Sequence, residues 1–193
     1  HEPSRRQRQM CIRDRNSTGD LRSSISPTDS SVVGQYLEAT QADVITAIER
    51  ARNSLPDWSS RCVTERAAVL ERAAELFEAR TAELTSLIAK EAGRTLNDGL
   101  DEVREAVDFC RYYAAQATSL MYSELELPGI TGETNRLSYA PRGPWLCISP
   151  WNFPLAIFTG QIVANLAVGN TVVAKPAEQT PLVARLALSL IHI

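Results

Sequence analysis

An asparagine flanked by two aromatic residues and fenced by prolines stands in "PWNFP", residues 150–154; a lysine and a glutamate follow in "KPAEQTP", residues 175–181. A side-chain amide held rigidly can donate to an oxyanion developing on a carbonyl, and one such donor is typically worth about 10²–10³ in rate. Asn152 has that capacity, with Trp151 and Phe153 beside it and Pro150 and Pro154 restricting the backbone. Lys175 and Glu178 suit a different partner. A carboxylate accepts from both hydroxyls of a ribose while an ammonium donates to one, and hydrogen bonds to charged groups contribute about 1.5–3 kcal/mol each. Glu178 would repel a 2′-phosphate, which favours NAD over NADP. Taken singly, each feature has a plainer use: Asn152 as a turn residue, Lys175 and Glu178 as an exposed pair at the start of a helix.

The surrounding pattern says what must position these residues. "WLCIS" reads as a short buried strand, residues 155–168 as a helix ending at Gly169-Asn170, and "TVVAK" as a second strand rich in β-branched residues. "TPLVARLALSL" opens a further helix, with Thr180 as N-cap and Pro181 at the first helical position. Strand, helix, strand, helix belongs to a parallel sheet, in which ligands gather beyond the carboxyl ends of the strands. Asn152 follows one strand end and Lys175 closes the other, so both motifs are expected on one rim. There is no G-x-G-x-x-G turn to hold a pyrophosphate.

Upstream the period is helical. Thr40 and Asp43 form a capping box for "TQADVITAIERARNSL", and Pro56-Asp57 marks a break. One long helix is expected from Val63 to Gly93 and another over residues 97–121, with Leu100, Val103, Val107, Cys110 and Ala114 on one face and the charges on a solvated face. "YSELELPGITGETNRLSYAPRG" reads as an extended hairpin arm around Pro-Gly and Thr-Gly turns. The expected organisation is a disordered or foreign segment over 1–31, a helical region over 32–121, the arm over 122–142 and the βαβα part of a nucleotide-binding fold over 143–193.

Composition excludes several classes. The net charge of −3 gives no global field for nucleic acid or a membrane surface, and no apolar run is long and clean enough to span a bilayer. The first 22 residues hold six Arg against three acids but no aromatic residue for base stacking, so no nucleic acid is expected as a partner. The four cysteines are widely spaced without C-x-x-C, which fits a reducing cytoplasm, and Cys110 and Cys147 read as small buried hydrophobes. His1 and His192 stand at the two ends, so a Ser/His or Cys/His pair built within this chain is not expected, and no metal site is assigned. The basic start and the abrupt apolar tail "ARLALSLIHI" read as a fragment with junction sequence at its ends.

"SPWNFP" followed by "GNTVVAKPAEQTP" resembles the aldehyde dehydrogenase superfamily. "EAGRTLNDGLDEVREAVDFCRYYAAQA" and "ELPGITGETNRLSYAPRG" narrow the resemblance to the L-glutamate γ-semialdehyde (Δ1-pyrroline-5-carboxylate) dehydrogenase module of the bifunctional proline utilisation A family, from about Val33 to Leu188. That resemblance implies an α/β fold: an N-terminal helical layer plus the first part of a Rossmann-like parallel sheet, incomplete here. It assigns Asn152 to the oxyanion hole, and Ile148, Ser149, Pro150 and Trp151 to the nicotinamide side of the cofactor groove. It gives Lys175 and Glu178 to the adenosine ribose, with Pro176 and Ala177 shaping the turn. Phe153 becomes part of the aldehyde pocket wall, and Glu105 a pocket-mouth carboxylate facing the substrate α-ammonium. The family reaction uses a Cys nucleophile, NAD and a Glu general base; the Cys and the Glu are implied further along than this chain reaches, so the chain alone is expected to be inactive. A homo-oligomer joined through the 122–140 arm, and a fused upstream proline dehydrogenase domain, are implied as partners. Another semialdehyde dehydrogenase would keep the same rim residues, and a non-catalytic helical interaction module would need no convergence of Asn152, Lys175 and Glu178.

Overall fold

The computed structural model describes residues 19–191, so Cys11, both histidines and most of the basic start lie outside the described residues. Two antiparallel strands, β1 (Leu21–Ile25) and β2 (Val32–Leu37), come first. Four helices follow: α1 (Gln41–Ser60), α2 (Val63–Ala79), α3 (Thr81–Ala92) and α4 (Leu96–Met121). The antiparallel arm β3 (Leu125–Leu127) and β4 (Asn135–Leu137) leads to the parallel unit β5 (Pro144–Ile148), α5 (Ala156–Ala167), β6 (Thr171–Lys175) and α6 (Pro181–Ile191). An α/β fold with a helical layer before a parallel strand pair is what the sequence pattern predicts.

The core runs through α2, α3, α4, α5 and α6. Leu70 and Phe77, Leu84 and Ile88, Val103 and Cys110, Phe158 and Val163, and Val183 and Ala187 form one buried cluster. Burying each large aliphatic or aromatic side chain contributes about 1.5–3 kcal/mol. Val172 and Ala174 pack against this cluster, and the Cys147 thiol lies against the Gln161 carbonyl and the Asn165 amide of α5. The parallel pair is anchored at its far end too. The Thr171 hydroxyl donates to the Ala51 carbonyl of α1 at 2.8 Å, and Asn170 Oδ1 accepts from the Arg142 and Gly143 amides at 2.7 and 3.1 Å.

Four sequence expectations need correction. Residues 21–25 are not disordered: they pair with residues 32–37, which form a strand and not helix, and the hairpin is docked. A Cβ on Gly34 would lie 2.7 Å from a Leu182 methyl, which would have to move, and one on Gly93, at a φ of 67°, would lie 2.7 Å from the Pro27 ring, so the hairpin packs closely against both elements. Pro56 does not break α1. The helix continues through it because Trp58, 8% exposed, is buried beyond it and its indole N–H donates to the Leu166 carbonyl at 3.0 Å. The expected long helix from Val63 is two helices, split at Arg80, whose φ of −109° leaves helical geometry. There Thr81 donates its hydroxyl to the Glu78 carbonyl at 2.7 Å, an acceptor that a continuous helix would use for a backbone amide. Finally, Thr180 is not a working cap: its buried hydroxyl oxygen has no hydrogen-bond partner. The capping box of Thr40 and Asp43 and the left-handed Gly93 (φ 67°) closing α3 are as expected.

Candidate active site

The carboxyl ends of β5 and β6 lie side by side. Ile148 is in register with Lys175, and the Ser149 amide donates to the Lys175 carbonyl at 3.1 Å, extending the parallel ladder by one residue. From this shared edge the two loops depart, one through Pro150, Trp151, Asn152 and Phe153, the other through Pro176, Ala177 and Glu178. Ser149 is buried and its hydroxyl meets Gln161 Oε1 at 3.2 Å, while Gln161 Nε2 donates to the Ile148 carbonyl at 3.2 Å. One α5 side chain thus ties down both residues at the end of β5. Ile148, Trp151 and Asn152 are exposed there, and Pro150 is half-buried.

On the second loop Ala177 is buried and its carbonyl accepts from the Thr180 amide at 3.2 Å, which makes a tight turn. Lys175 and Glu178 are exposed. The ammonium of Lys175 donates to the Pro176 carbonyl at 3.2 Å, and the Glu178 carboxylate accepts from the Gln179 amide at 3.4 Å. The Tyr36 hydroxyl of β2 reaches the Glu178 carbonyl at 3.5 Å, so the hairpin missed in the sequence abuts this loop.

Two buried carboxylates that the sequence reading left on a solvated face hold the loops from behind. Glu102, 1% exposed, accepts from the Leu155 and Ala156 amides at 3.1 and 3.4 Å and so caps α5. Its other oxygen lies 3.3 Å from Arg94 Nε. Arg94 donates to the Asn152 carbonyl and sets its guanidinium carbon 4.5 Å from the centre of the Phe153 ring. Glu91, 2% exposed, accepts from the Leu182 and Val183 amides at 2.9 and 2.8 Å and from the Ser24 hydroxyl at 2.8 Å, and so caps α6 in place of Thr180. Burial pushes both carboxyls above their ordinary value, against the pull of the amides they accept from. Glu105 is exposed one turn beyond Glu102, and its charge adds to the cost of ionising that neighbour.

Two of the three described cysteines are buried and one is exposed. Cys110 is buried in the helical core, with its thiol pushed up to about 12 by desolvation. Cys147 is buried under α5, which raises it too. Cys62 is exposed at the start of α2, its sulfur beside the Thr64 hydroxyl. Among the described residues no cluster of His, Cys, Asp and Glu could hold a metal ion, and no helix is long and apolar enough to cross a membrane.

A helical layer, an extended arm and a parallel βαβα unit with amide, ammonium and carboxylate at its strand ends define the first part of a Rossmann-like α/β fold. Residues 13–192 match the aldehyde dehydrogenase family, and the chain belongs to it. The match begins at residue 13, within the segment expected to be disordered or foreign. The chain is 48% identical over 167 residues to the bifunctional protein PutA of Escherichia coli K12, covering 86% of this chain and 12% of that protein. It is 41% identical over 162 residues to 1-pyrroline-5-carboxylate dehydrogenase 2 of Bacillus subtilis, covering 83% of this chain and 31% of the relative. The solved structure of 1-pyrroline-5-carboxylate dehydrogenase from Thermus with bound NAD superposes with a TM-score of 0.87 at 37% identity, over 91% of this chain and 34% of that one. The chain therefore spans about an eighth of the bifunctional relative and about a third of the monofunctional ones.

Proposed function

We propose that this chain supplies part of the cofactor and aldehyde site of an NAD-dependent dehydrogenase that oxidises L-glutamate γ-semialdehyde to glutamate in proline catabolism. The observation that carries this reading is the parallel register of Ile148 with Lys175, which sets the amide-bearing loop and the Lys175–Glu178 turn at neighbouring strand ends. The residues present fit NAD. Lys175 and Glu178 are exposed; the Lys175 ammonium meets the adjacent Pro176 carbonyl and the Glu178 carboxylate the adjacent Gln179 amide, which leaves both charged groups within reach of ribose hydroxyls. Exposed Ile148 and Trp151 offer apolar surface for a nicotinamide ring, with Ser149 and Pro150 as the rigid edge beneath and Ala177 allowing close approach at the turn. When bound, NAD supplies the hydride acceptor.

This chain's own residues would bind, orient and stabilise. Asn152 directs its amide to the carbonyl oxygen as negative charge gathers there; a donor aimed at that oxygen gains most in the transition state. Phe153 forms an apolar wall that keeps water from the aldehyde, and Glu105 meets the substrate α-ammonium. We assign the nucleophilic thiolate and the general base to other parts of the protein, because the described thiols are buried or lie away from the rim, and the chain on its own is not expected to turn over. The arm, with Leu125, Leu127, Ile130 and Leu137 exposed, is assigned to contact with a second copy, in a cytoplasmic enzyme that can be fused to an upstream proline dehydrogenase domain.

NAD-linked oxidation of glutamate γ-semialdehyde by the full-length protein tests the reading. Asn152→Ala is expected to lower kcat by about 10²–10³. Lys175→Ala and Glu178→Ala are each expected to weaken NAD by about tenfold or more, from the loss of charge-assisted hydrogen bonds. Unchanged kcat in the first would remove the oxyanion role. Unchanged NAD affinity in both of the others would remove the ribose assignment, and unchanged substrate preference in Glu105→Ala would remove the specific substrate.

A further inference from the structure

The residues from Asn152 to Ala156 are held at four points by two side chains from another part of the chain. Arg94 lies in the short connection between α3 and α4, just after the left-handed Gly93. Its guanidinium donates to the Asn152 backbone carbonyl, and its face covers the Phe153 ring at 4.5 Å. Its Nε lies 3.3 Å from Glu102, whose second oxygen receives the Leu155 and Ala156 amides. A planar guanidinium can donate from its edge and stack through its face at once, and an ammonium cannot do both. Capping α5 alone would need only a local Ser or Asp, at no cost in buried charge. A buried carboxylate paired with Arg94 carries a desolvation cost that a local cap avoids, and what it adds is a fixed position for the loop before the helix.

We propose that Arg94 and Glu102 are positioning residues for catalysis: the pair fixes the peptide plane of Asn152 and the ring of Phe153, so that the Asn152 amide points at the reacting oxygen before substrate arrives. This rests on the reading that Asn152 stabilises an oxyanion. Preorganised donors lose their effect when displaced by a fraction of an ångström, so loosening the pair acts on kcat while the ribose grip at Lys175 and Glu178 is untouched.

The test is a double-mutant cycle in the full-length protein, with kcat and KM for glutamate γ-semialdehyde, NAD binding followed by protein fluorescence, and thermal unfolding as a folding control. Arg94→Met is expected to lower kcat by about 10–100-fold with NAD affinity within about twofold. Glu102→Gln keeps an acceptor for the α5 amides but loses the charge facing Arg94, and is expected to lower kcat by about tenfold. Because the rate effect runs mainly through the Asn152 amide, with Phe153 as a passive wall, Arg94→Met in an Asn152→Ala background should cost far less than it does alone. If the single effects multiply instead, or if Arg94→Met raises KM with kcat intact, the positioning role is overturned while the role of Asn152 stands. If Asn152→Ala leaves kcat unchanged, the oxyanion reading fails and the positioning role fails with it. Should Arg94→Met not fold, the cycle of Glu102→Gln with Asn152→Ala decides the same question.

Discussion

Glu91→Ala isolates how much of the rim's placement rests on a single carboxylate. In the native chain that side chain receives the Leu182 and Val183 amides and the Ser24 hydroxyl, and it is 2% exposed. Removing it orphans two amides at the start of α6, each costing about 1–3 kcal/mol when left buried without an acceptor. The loss of an N-cap, about 0.5–2 kcal/mol, describes much of the same event and is not added in full. Ser24 can rotate toward another acceptor and contributes less. Against these stands relief from burying a carboxylate whose charged form desolvation disfavours. The balance is about 2–4 kcal/mol, which for a chain of this length corresponds to about 5–15 °C in Tm. Urea unfolding at neutral pH, followed by tryptophan fluorescence, measures it. Glu91→Gln, whose amide oxygen can still accept from one backbone N–H, should recover about half of the loss. A cost below about 0.5 kcal/mol for Ala, or a Gln variant no better than Ala, would refute the view that a distant carboxylate caps α6.

The remaining predictions concern pH and packing. Because burial raises the Glu91 and Glu102 carboxyls from their ordinary 4.5, the folded chain binds their protons more tightly than the unfolded one. Their contribution is therefore full below pH 4.5 and is lost as pH rises through the raised folded values, so the cost of Glu91→Gln, read from urea midpoints, should shrink from acidic to neutral pH. Gly160 lies where α5 meets α4, and a Cβ there would stand 2.9 and 3.0 Å from two carbons of the Phe109 ring. Gly160→Ala should therefore destabilise by about 1–2 kcal/mol even though alanine favours helix by about 1 kcal/mol, and Phe109→Leu in the same chain should relieve it.

What could be read from the sequence, and what could not, divides by the range of the forces involved. The Thr40–Asp43 box, the left-handed turn at Gly93 and the strands "WLCIS" and "TVVAK" are set by neighbours within a few residues, and each is where the pattern places it. The strand ends bearing Asn152 and Lys175 were legible for the same reason, since a βαβ crossover dictates adjacency. By contrast β1 has little apolar signal, and its place depends on Glu91, which receives the Ser24 hydroxyl, while its partner β2 lies against Leu182 through Gly34; both contacts are far along the chain. The run through Pro56 depends on the Leu166 carbonyl that receives Trp58, equally remote. The caps of α5 and α6 follow the same rule: local sequence offers Leu155 and Thr180, neither of which caps its helix by a side-chain hydrogen bond, and the structure supplies Glu102 and Glu91 instead. A signal for these was present. Glu91 continues the buried stripe of Leu84 and Ile88, and Glu102 sits among Gly99, Val103 and Ala106. A carboxylate on the apolar stripe of a helix must find donors or unfold its surroundings. Helix N-termini that follow strands without a local cap are where such donors go unclaimed, and α5, preceded by Leu155, is such a start in the sequence itself; α6, with Thr180 before it, is not, and only the structure shows its amides going to Glu91.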